Sequence, residues 1–270
     1  MMRFPHRSLI RLTGRDTIAL LERTVTNSVK DWAAGEVRYG ALLTPQGKII
    51  SDYTVLRTDD GVLVDVHEDA AEDLMKRLKM FRLRAEVEIA LDDTLAAVRT
   101  DDATDPRSPA LWGRRWVPVA EAGEMIAVED WAENRIAAGV PEWGADYRAA
   151  EVFPTDINMD VMGGIDYNKG CFVGQEVASR MKRRGKIRKR TLTVHGTALE
   201  AGTDIFSAAP VGTVTSVEGA IGLAQVRTDR LQKVLDQSLP LTCNDQPVTF
   251  DVPDWARNEM NALGTEASGE

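Results

Sequence analysis

Residues 163–176 read GGIDYNKGCFVGQE, a segment in which four glycines surround Cys171 and Lys169 precedes the thiol by two residues. Gly170 and Gly174 permit backbone conformations that other residues avoid, and they let a neighbour approach the backbone closely. Helical character begins at Gly174, so we expect Cys171 to lie just before a helix N-terminus. A helix dipole and a nearby ammonium group both favour the thiolate, the reactive form of cysteine. The segment therefore marks Cys171 and Lys169 as candidate catalytic residues.

Two interpretations of Cys171 stay open on chemistry alone. One is a nucleophilic, redox-active or metal-contacting thiol, as the glycines and Lys169 suggest. The other is a packed thiol, because free cysteine is among the most buried residue types. Cys243, the second cysteine of the chain, has no partner pattern and is interpreted as structural.

The chain shows no complete metal site or nucleotide-binding motif. There is no CxxC or HExxH pattern, and the three histidines lie far apart in the sequence. An iron–sulfur cluster normally takes four thiolates, which this chain alone does not offer. Walker, Rossmann and GxSxG patterns are also missing. We therefore predict no resident metal ion.

A basic run follows the cysteine motif directly. Residues 180–190 read RMKRRGKIRKR, eight basic residues in eleven, so the net charge of −9 is the sum of +8 here and −17 elsewhere. A solvated helix end and loop explains such a run as well as an anion-binding segment does. The acidic remainder argues against a protein that coats nucleic acid broadly.

Composition excludes several classes of protein. The chain has 270 residues, of which 43% are hydrophobic and 28% are charged, so it is not a disordered chain. Two cysteines cannot form a disulfide scaffold. No apolar run approaches the ~18 residues of a membrane span, and residues 1–6 lack the apolar core of a signal peptide. We therefore expect a cytoplasmic protein without membrane contact.

Strand and helix patterns alternate in the first third of the chain. Strands are predicted at 8–12, 39–44, 49–57, 62–66, 87–91 and 95–99, and helices at 16–25 and 69–80. This order is typical of an α+β fold, in which helices cover one face of a largely antiparallel sheet.

The later sequence predicts three further segments. A polar loop at 101–109 opens a second α+β segment, over 101–189, which follows the first domain at 1–100 and carries the cysteine motif. It contains a strand near 112–119 and a short helix at 131–138 that we expect Asp130 to cap. Short strands with frequent glycines over 190–254 predict a small antiparallel β-barrel. Residues 255–270 are predicted to be a frayed acidic tail.

The octapeptide KGCFVGQE at 169–176, followed by Arg180 and by Arg184-Gly185, resembles the signature of the YgfZ family of folate-binding proteins. Weaker matches occur in the family's order: LERTVTNS at 21–28, LTPQGK at 43–48, RIAAGVPE at 135–142 and the glycine-containing segment at 212–226. The resemblance covers most of the chain. It implies the fold of the aminomethyltransferase (T-protein) of glycine cleavage, with mixed α/β layers around a central cavity for tetrahydrofolate and a C-terminal antiparallel β-barrel.

The resemblance also implies a function. YgfZ-like proteins assist the assembly or repair of iron–sulfur enzymes, and their downstream effects include tRNA modification. Iron–sulfur enzymes or cluster carriers are the implied partners, and tetrahydrofolate or a one-carbon derivative is the implied cofactor. On this reading Asp52 is the best carboxylate for folate, Tyr167 stacks on its rings, and Arg180 suits its glutamate tail. Motif and turn positions complete the implied contacts: Asn27, Gly170, Gln175 and Glu176.

Two alternatives remain. A folate-dependent aminomethyltransferase shares the fold, but T-proteins carry an acidic pair where this chain has Ser51-Asp52, and a glutamate where it has Ala137. An alanine cannot make the paired hydrogen bonds that a carboxylate offers an aminopterin edge. These departures count against aminomethyl transfer and leave enzymatic activity open. Direct tRNA binding by the basic run is the other alternative.

Overall fold

The structure, a computed structural model, describes residues 1–183 and 187–267, with side chains as far as Ala262. Within these residues the α-helices are α1 (Thr17–Thr24), α2 (Glu68–Arg82), α3 (Val128–Ala137), α4 (Gln175–Arg183), α5 (Thr228–Asp236) and α6 (Asp254–Ala267). In this part of the chain no helix is long and apolar enough to cross a membrane.

An antiparallel sheet forms the N-terminal part of the chain. Its strands are β1 (Arg7–Thr13), β2 (Val37–Leu43), β3 (Ile49–Arg57), β4 (Gly61–His67) and β5 (Glu88–Leu91), in the spatial order β2-β3-β4-β1-β5. All seven residues of β4 are buried, as are the first seven of β3. These central strands are therefore covered on both faces, unlike a sheet with one solvated face.

Helices α1 and α2 cover one face of this sheet, and the chain returns in residues 143–172 to share its core. Ile49 N donates to Val152 O at 2.9 Å, and Trp143 Nε1 donates to Ile50 O at 2.9 Å. These bonds fix the segment before the cysteine motif against β3. A separate two-stranded ribbon pairs β6 (Leu95–Thr100) with β7 (Gly113–Pro118).

The C-terminal sheet is nearly closed and antiparallel. It comprises β8 (Lys189–His195), β9 (Asp204–Phe206), β10 (Pro210–Glu218), β11 (Ile221–Arg227), β12 (Thr242–Cys243), β13 (Gln246–Pro247) and β14 (Thr249–Asp251). Its spatial order is β13-β12-β9-β10-β11-β8-β14. The predicted mixed α/β fold with a C-terminal barrel is therefore confirmed. The division of the chain near residues 100 and 189 stays a prediction.

Two local predictions are wrong. Helix α3 begins at Val128 with Ala127 at its N-cap, so Asp130 lies in the first turn and does not cap the helix. There the carboxylate favours the helix through the macrodipole. Residues after Asp254 form helix α6 rather than a frayed tail, because Ala256 and Met260, four residues apart, lie on one face and pack into the barrel core.

We predict that Met260→Ala destabilises the chain by about 2–5 kcal/mol, because it leaves a cavity where Met260 is fully buried. Chemical denaturation followed by circular dichroism measures this change. Asn258→Ala, on the exposed side of α6, should change the free energy of unfolding by less than about 0.5 kcal/mol. Equal stabilities for the two variants would show that α6 does not pack on the barrel.

Candidate functional site

The cysteine motif is tied to a turn of the N-terminal part. Thr26 Oγ1 donates to Gly164 O at 2.6 Å, and Asp166 N donates to Thr26 O at 3.0 Å. The Asn27 side chain bridges both parts, since its Nδ2 donates to Tyr39 O and to Gly163 O, each at 2.9 Å. The structure therefore places Asn27 as a link between the sheet and the motif.

Lys169 turns inward and completes this attachment. Its side chain is 1% exposed, and Nζ donates to Val25 O at 2.9 Å and to Asn27 O at 2.6 Å, with Glu22 Oε2 at 3.6 Å. Burial lowers the pKa of Lys169 to about 8, although Glu22 opposes the shift. Two of the three ammonium donors bind these backbone carbonyls, and Glu22 pairs with the charge. The geometry therefore directs Lys169 to the N-terminal turn and not to Cys171.

Cys171 is exposed on the same loop, beside the buried Phe172. Helix α4 begins at Gln175, so the thiol lies outside the first turn, where a helix dipole acts most strongly. In the described ranges no group of three His, Cys, Asp or Glu side chains is placed to hold a metal ion. Cys243 is buried in the barrel, where burial raises the pKa of its thiol.

The glycines of the motif differ in what they do. Gly174 has φ +80°, and a Cβ there would lie 2.5 Å from Thr44 O, so both conformation and space require glycine. Gly170 is exposed, and a Cβ there would meet no atom within 4 Å. The expected close approach is therefore found at Gly174, against the β2–β3 turn, and not at Gly170.

The remaining motif residues lie on or beside α4. Gln175 Nε2 donates to Lys169 O at 3.3 Å, which ties the helix to the loop. Glu176 and Arg180 form an ion pair with each other on the exposed side of α4. Tyr167 is half-buried, and burial raises the pKa of its phenol.

Asp52 lies in the middle of the sheet, 7% exposed, and its Oδ2 accepts a hydrogen bond from Tyr39 Oη at 2.9 Å. Burial, followed by the nearby Asp52 carboxylate, raises the pKa values of Tyr39, Tyr53 and Tyr147. The Tyr53 hydroxyl is buried and has no hydrogen-bond partner among the described residues. Asp52 is thus connected to the motif only indirectly, because Tyr39 also accepts from Asn27.

A cavity of about 330 Å³ lies between the middle of the chain and the barrel. Its walls include Arg107, Ala137, Asn158 and Trp255. The Asn158 carboxamide donates to Thr191 O at 2.6 Å, while its Oδ1 is buried and accepts no hydrogen bond from the part of the chain that the structure describes. An unpaired buried acceptor at a cavity wall can receive a ligand donor. Asp52 is not among the described residues that line this cavity.

The basic run does not form a single exposed surface, because its residues differ in burial. Arg190 is 1% exposed and pairs with Asp160 (Nη1–Oδ1 2.6 Å) and with Glu259 (Nε–Oε2 2.8 Å). Lys182 pairs with Asp160 at 3.0 Å. Residues 184–186 of the run lie outside the described residues. They include Arg184-Gly185, which contributed to the family resemblance. The run therefore contains an internal ion-pair centre as well as exposed cations.

A second buried charge network, centred on Asp65, was not predicted from the sequence. Asp65 is 0% exposed and accepts from Arg7 Nε at 2.6 Å and from Arg114 Nη1 at 2.7 Å. Burial by itself would raise the pKa of Asp65, but the two guanidinium groups lower it. Arg114 also contacts Asp105, which pairs with Arg107 at the cavity. One feature of the sequence indicates this network: Asp65 is an aspartate within an apolar stretch of β4 that reads VLVDV.

Two family models match this chain. Residues 4–103 match the GCVT N-terminal domain, and residues 188–258 match the CAF17 C-terminal β-barrel domain. The chain has the CAF17/IBA57-type arrangement. In this arrangement a GcvT-like domain precedes the barrel, and the cysteine motif of this chain lies between the two matched segments.

Curated relatives agree with this arrangement. "Iron-sulfur cluster assembly factor IBA57 homolog, mitochondrial" of Mycosarcoma maydis is 30% identical, over 70% of this chain and 55% of that protein. The protein of the same name in Pyricularia oryzae is 31% identical, over 69% of this chain and 54% of that protein. The chain thus spans about half the length of these relatives. The namesake in Aspergillus clavatus is 26% identical over 99% of this chain and 78% of that protein.

The fold also resembles a solved structure. Glycine cleavage system aminomethyltransferase T from Bartonella henselae superposes with a TM-score of 0.75, covering 92% of this chain and 83% of that one, at 15% identity. At this identity the likeness establishes the fold and not the activity.

The prediction of a cytoplasmic protein is wrong, because the relatives that match the chain are named as mitochondrial. The prediction rested on few cysteines and on the absence of an apolar core in residues 1–6. Few cysteines fit any compartment in which thiols stay reduced, so they do not separate one such compartment from another.

We predict a pH signature for Lys169. Its ammonium loses its proton near pH 8 in the folded chain but near 10.5 when exposed. Between these values the unfolded chain binds more protons, so stability rises with pH. The free energy of unfolding of the wild type, minus that of Lys169→Met, should therefore rise by on the order of 3 kcal/mol from pH 8 to 10.5.

Urea denaturation at a series of pH values measures this difference. The subtraction removes the titration of tyrosines and other groups that both proteins share. A difference that stays flat or falls over this range would contradict the inward placement of the ammonium.

Proposed function

We propose that this chain is an accessory protein of the YgfZ type, which assists the assembly or repair of iron–sulfur enzymes. The observation that supports this most is the exposed Cys171 on a loop held in place by Lys169 and Asn27. Relatives named as iron–sulfur cluster assembly factors support the same role. The loop presents a single thiol to a partner while its other side chains fix its position.

The chemistry of this thiol is that of a cluster ligand. A thiolate binds iron, and a cluster normally takes four such ligands. Because this loop offers one thiol, the partner enzyme or carrier supplies the other ligands, and the cluster is cargo that passes between proteins. An exposed thiol suits such exchange, since a buried one is not accessible to a partner.

Tetrahydrofolate or a one-carbon derivative is the proposed cofactor, and effects on tRNA modification follow indirectly through cluster-containing enzymes. The cavity beside Ala137 fits this ligand, since the Asn158 Oδ1 acceptor is unpaired and Trp255 provides an aromatic wall. Both features match an aminopterin, which has N–H donors and a flat ring. When bound, folate supplies a one-carbon carrier; the residues of the chain bind and orient it.

Aminomethyl transfer is the less favoured candidate. The Bartonella henselae protein supports it through the fold alone. In this chain the best carboxylate candidate for folate, Asp52, is buried and already accepts from Tyr39. A carboxylate in this position is not accessible to an aminomethyl donor unless the tyrosine moves.

We predict that Cys171→Ala abolishes the function in cells. In cells that lack the gene, the activities of iron–sulfur enzymes should stay at the deletion level with Cys171→Ala. They should return to the wild-type level with Cys243→Ala, which removes the buried thiol. Immunoblotting confirms equal amounts of the proteins. Full restoration by Cys171→Ala would overturn the thiol role.

We predict that Ala137→Glu binds tetrahydrofolate about tenfold more tightly than the wild type, because a carboxylate adds charge-assisted hydrogen bonds to the pterin edge. Isothermal titration calorimetry measures both affinities. Ala201→Glu adds the same charge at an exposed turn and should bind like the wild type. If tetrahydrofolate binds neither the wild type nor Ala137→Glu, the cofactor proposal fails.

A further inference from the structure

A groove of about 550 Å³ runs along helix α4. One wall is the loop at Tyr167 and Asn168. The other is a helix face formed by Gln175, Glu176, Ser179 and Lys182, with Arg183 at its end. Positions 175, 179 and 182 lie on one side of a helix because they are separated by four and three residues. The groove is therefore built from both sides of the cysteine motif.

Helix α4 contacts the rest of the molecule through a few side chains, among them Gln175 and Lys182. Ala178 is its one buried residue, and Val177 packs against Gly47 at the β2–β3 turn. Its charged side chains are exposed, including Arg180 at 53% and Lys182 at 47%. A polar helix that leaves most of its surface uncovered has a face available to a partner.

The charge of this face is opposite to that of the molecule. The chain carries −9 overall, whereas the groove is lined by two cations, Lys182 and Arg183, against one acid, Glu176, with Arg180 on the same helix. Lys182 also pairs with Asp160. Two further cations, Arg188 and Lys189, are exposed just beyond the undescribed residues. A positive patch on a negative protein attracts an anionic partner to one place and repels it elsewhere.

One wall of the groove belongs to the loop that carries the exposed thiol. Gln175 lines the groove and donates through Nε2 to Lys169 O, two residues before Cys171. Tyr167, on the opposite wall, precedes Cys171 by four residues in the same loop. A segment bound in the groove would therefore contact the loop that carries Cys171, although Cys171 is not among the described residues that line the groove.

We propose that this groove binds an acidic segment of a partner protein and so brings the partner's cluster to Cys171. The inference rests on the proposed function for the identity of the cargo. RNA is the less favoured occupant, because the acidic body of the chain repels a long polyanion. A short acidic segment contacts the patch without meeting the acidic body.

Disulfide exchange with short peptides tests the groove. Each peptide contains one cysteine, activated as a mixed disulfide with thionitrobenzoate, among either Asp/Glu or Asn/Gln residues. The Cys171 thiolate attacks the peptide sulfur, forms a protein–peptide disulfide and releases thionitrobenzoate, whose absorbance gives the rate. With the full chain at low salt, we expect the acidic peptide to react about tenfold faster, and the ratio to fall toward one at about 0.5 M NaCl.

Matched variants assign the effect to the groove. Lys182→Gln/Arg183→Gln should lower the rate ratio at least about threefold. Lys76→Gln/Lys79→Gln removes two exposed cations of α2 and should keep the wild-type ratio. Cys171→Ser should not react. Equal rates for the two peptides, or equal ratios for the two double variants, would overturn the proposal.

Competition identifies the occupant. Polyglutamate should slow the reaction of Cys171 more than a tRNA at equal charge concentration does, and the reverse order would overturn the choice of an acidic protein. The result also separates this inference from the proposed function. If Cys171→Ala restored iron–sulfur enzymes but the peptide preference remained, the function would fail and the groove would stand.

Discussion

The buried guanidinium group of Arg190 joins the parts of this molecule that form its candidate sites. All five of its N–H donors are used, on Asp160, on Glu259 and on Thr155 O at 3.0 Å. Arginine is suited to this position because its planar fork binds two carboxylates at once. Removing one partner of such a buried pair is costly, because the other charge is left uncompensated. Asp160 also holds Lys182 of the groove, and Glu259 belongs to the helix whose Trp255 lines the cavity. The ion-pair centre therefore fixes both sites.

Within the cysteine octapeptide, Lys169 and Cys171 face in different directions. Lys169 points inward and binds the turn after α1, which costs part of its basicity, while Cys171 remains exposed. Gly174 allows the chain to pass close to the β2–β3 turn before α4 begins. The loop thus has a fixed backbone with an accessible thiol, which is the arrangement that the proposed exchange of cargo requires. Under the proposed function, Lys169 attaches the loop and Cys171 reacts, so the two residues of one short motif have separate roles.

Sequence patterns predicted the sheet and the barrel, because alternation, turn residues and glycines are local signals. Long-range partners were not predictable in this way. Arg190 pairs with the carboxylates of Asp160 and Glu259, which lie 30 and 69 residues from it in the sequence. A count of charged residues also does not show which of them are buried. The apolar face of α6 was present in the sequence as Ala256 and Met260, but an acidic C-terminal composition obscured it. Lys169 was expected to act on the thiol because the two residues are close in the sequence. Proximity in sequence does not give the direction of a side chain, and Lys169 turns inward.

Hydrogen–deuterium exchange of Arg190→Met, compared with Lys189→Met as an exposed control, tests most directly whether this centre holds the sites together. Neither substitution lies in α4 or α6, so changes there must travel through the ion pairs. We predict faster amide exchange in both helices for Arg190→Met, with a loss of about 3–5 kcal/mol in the free energy of unfolding, and wild-type exchange for Lys189→Met. Wild-type exchange in α4 and α6 of Arg190→Met would contradict the central role of Arg190.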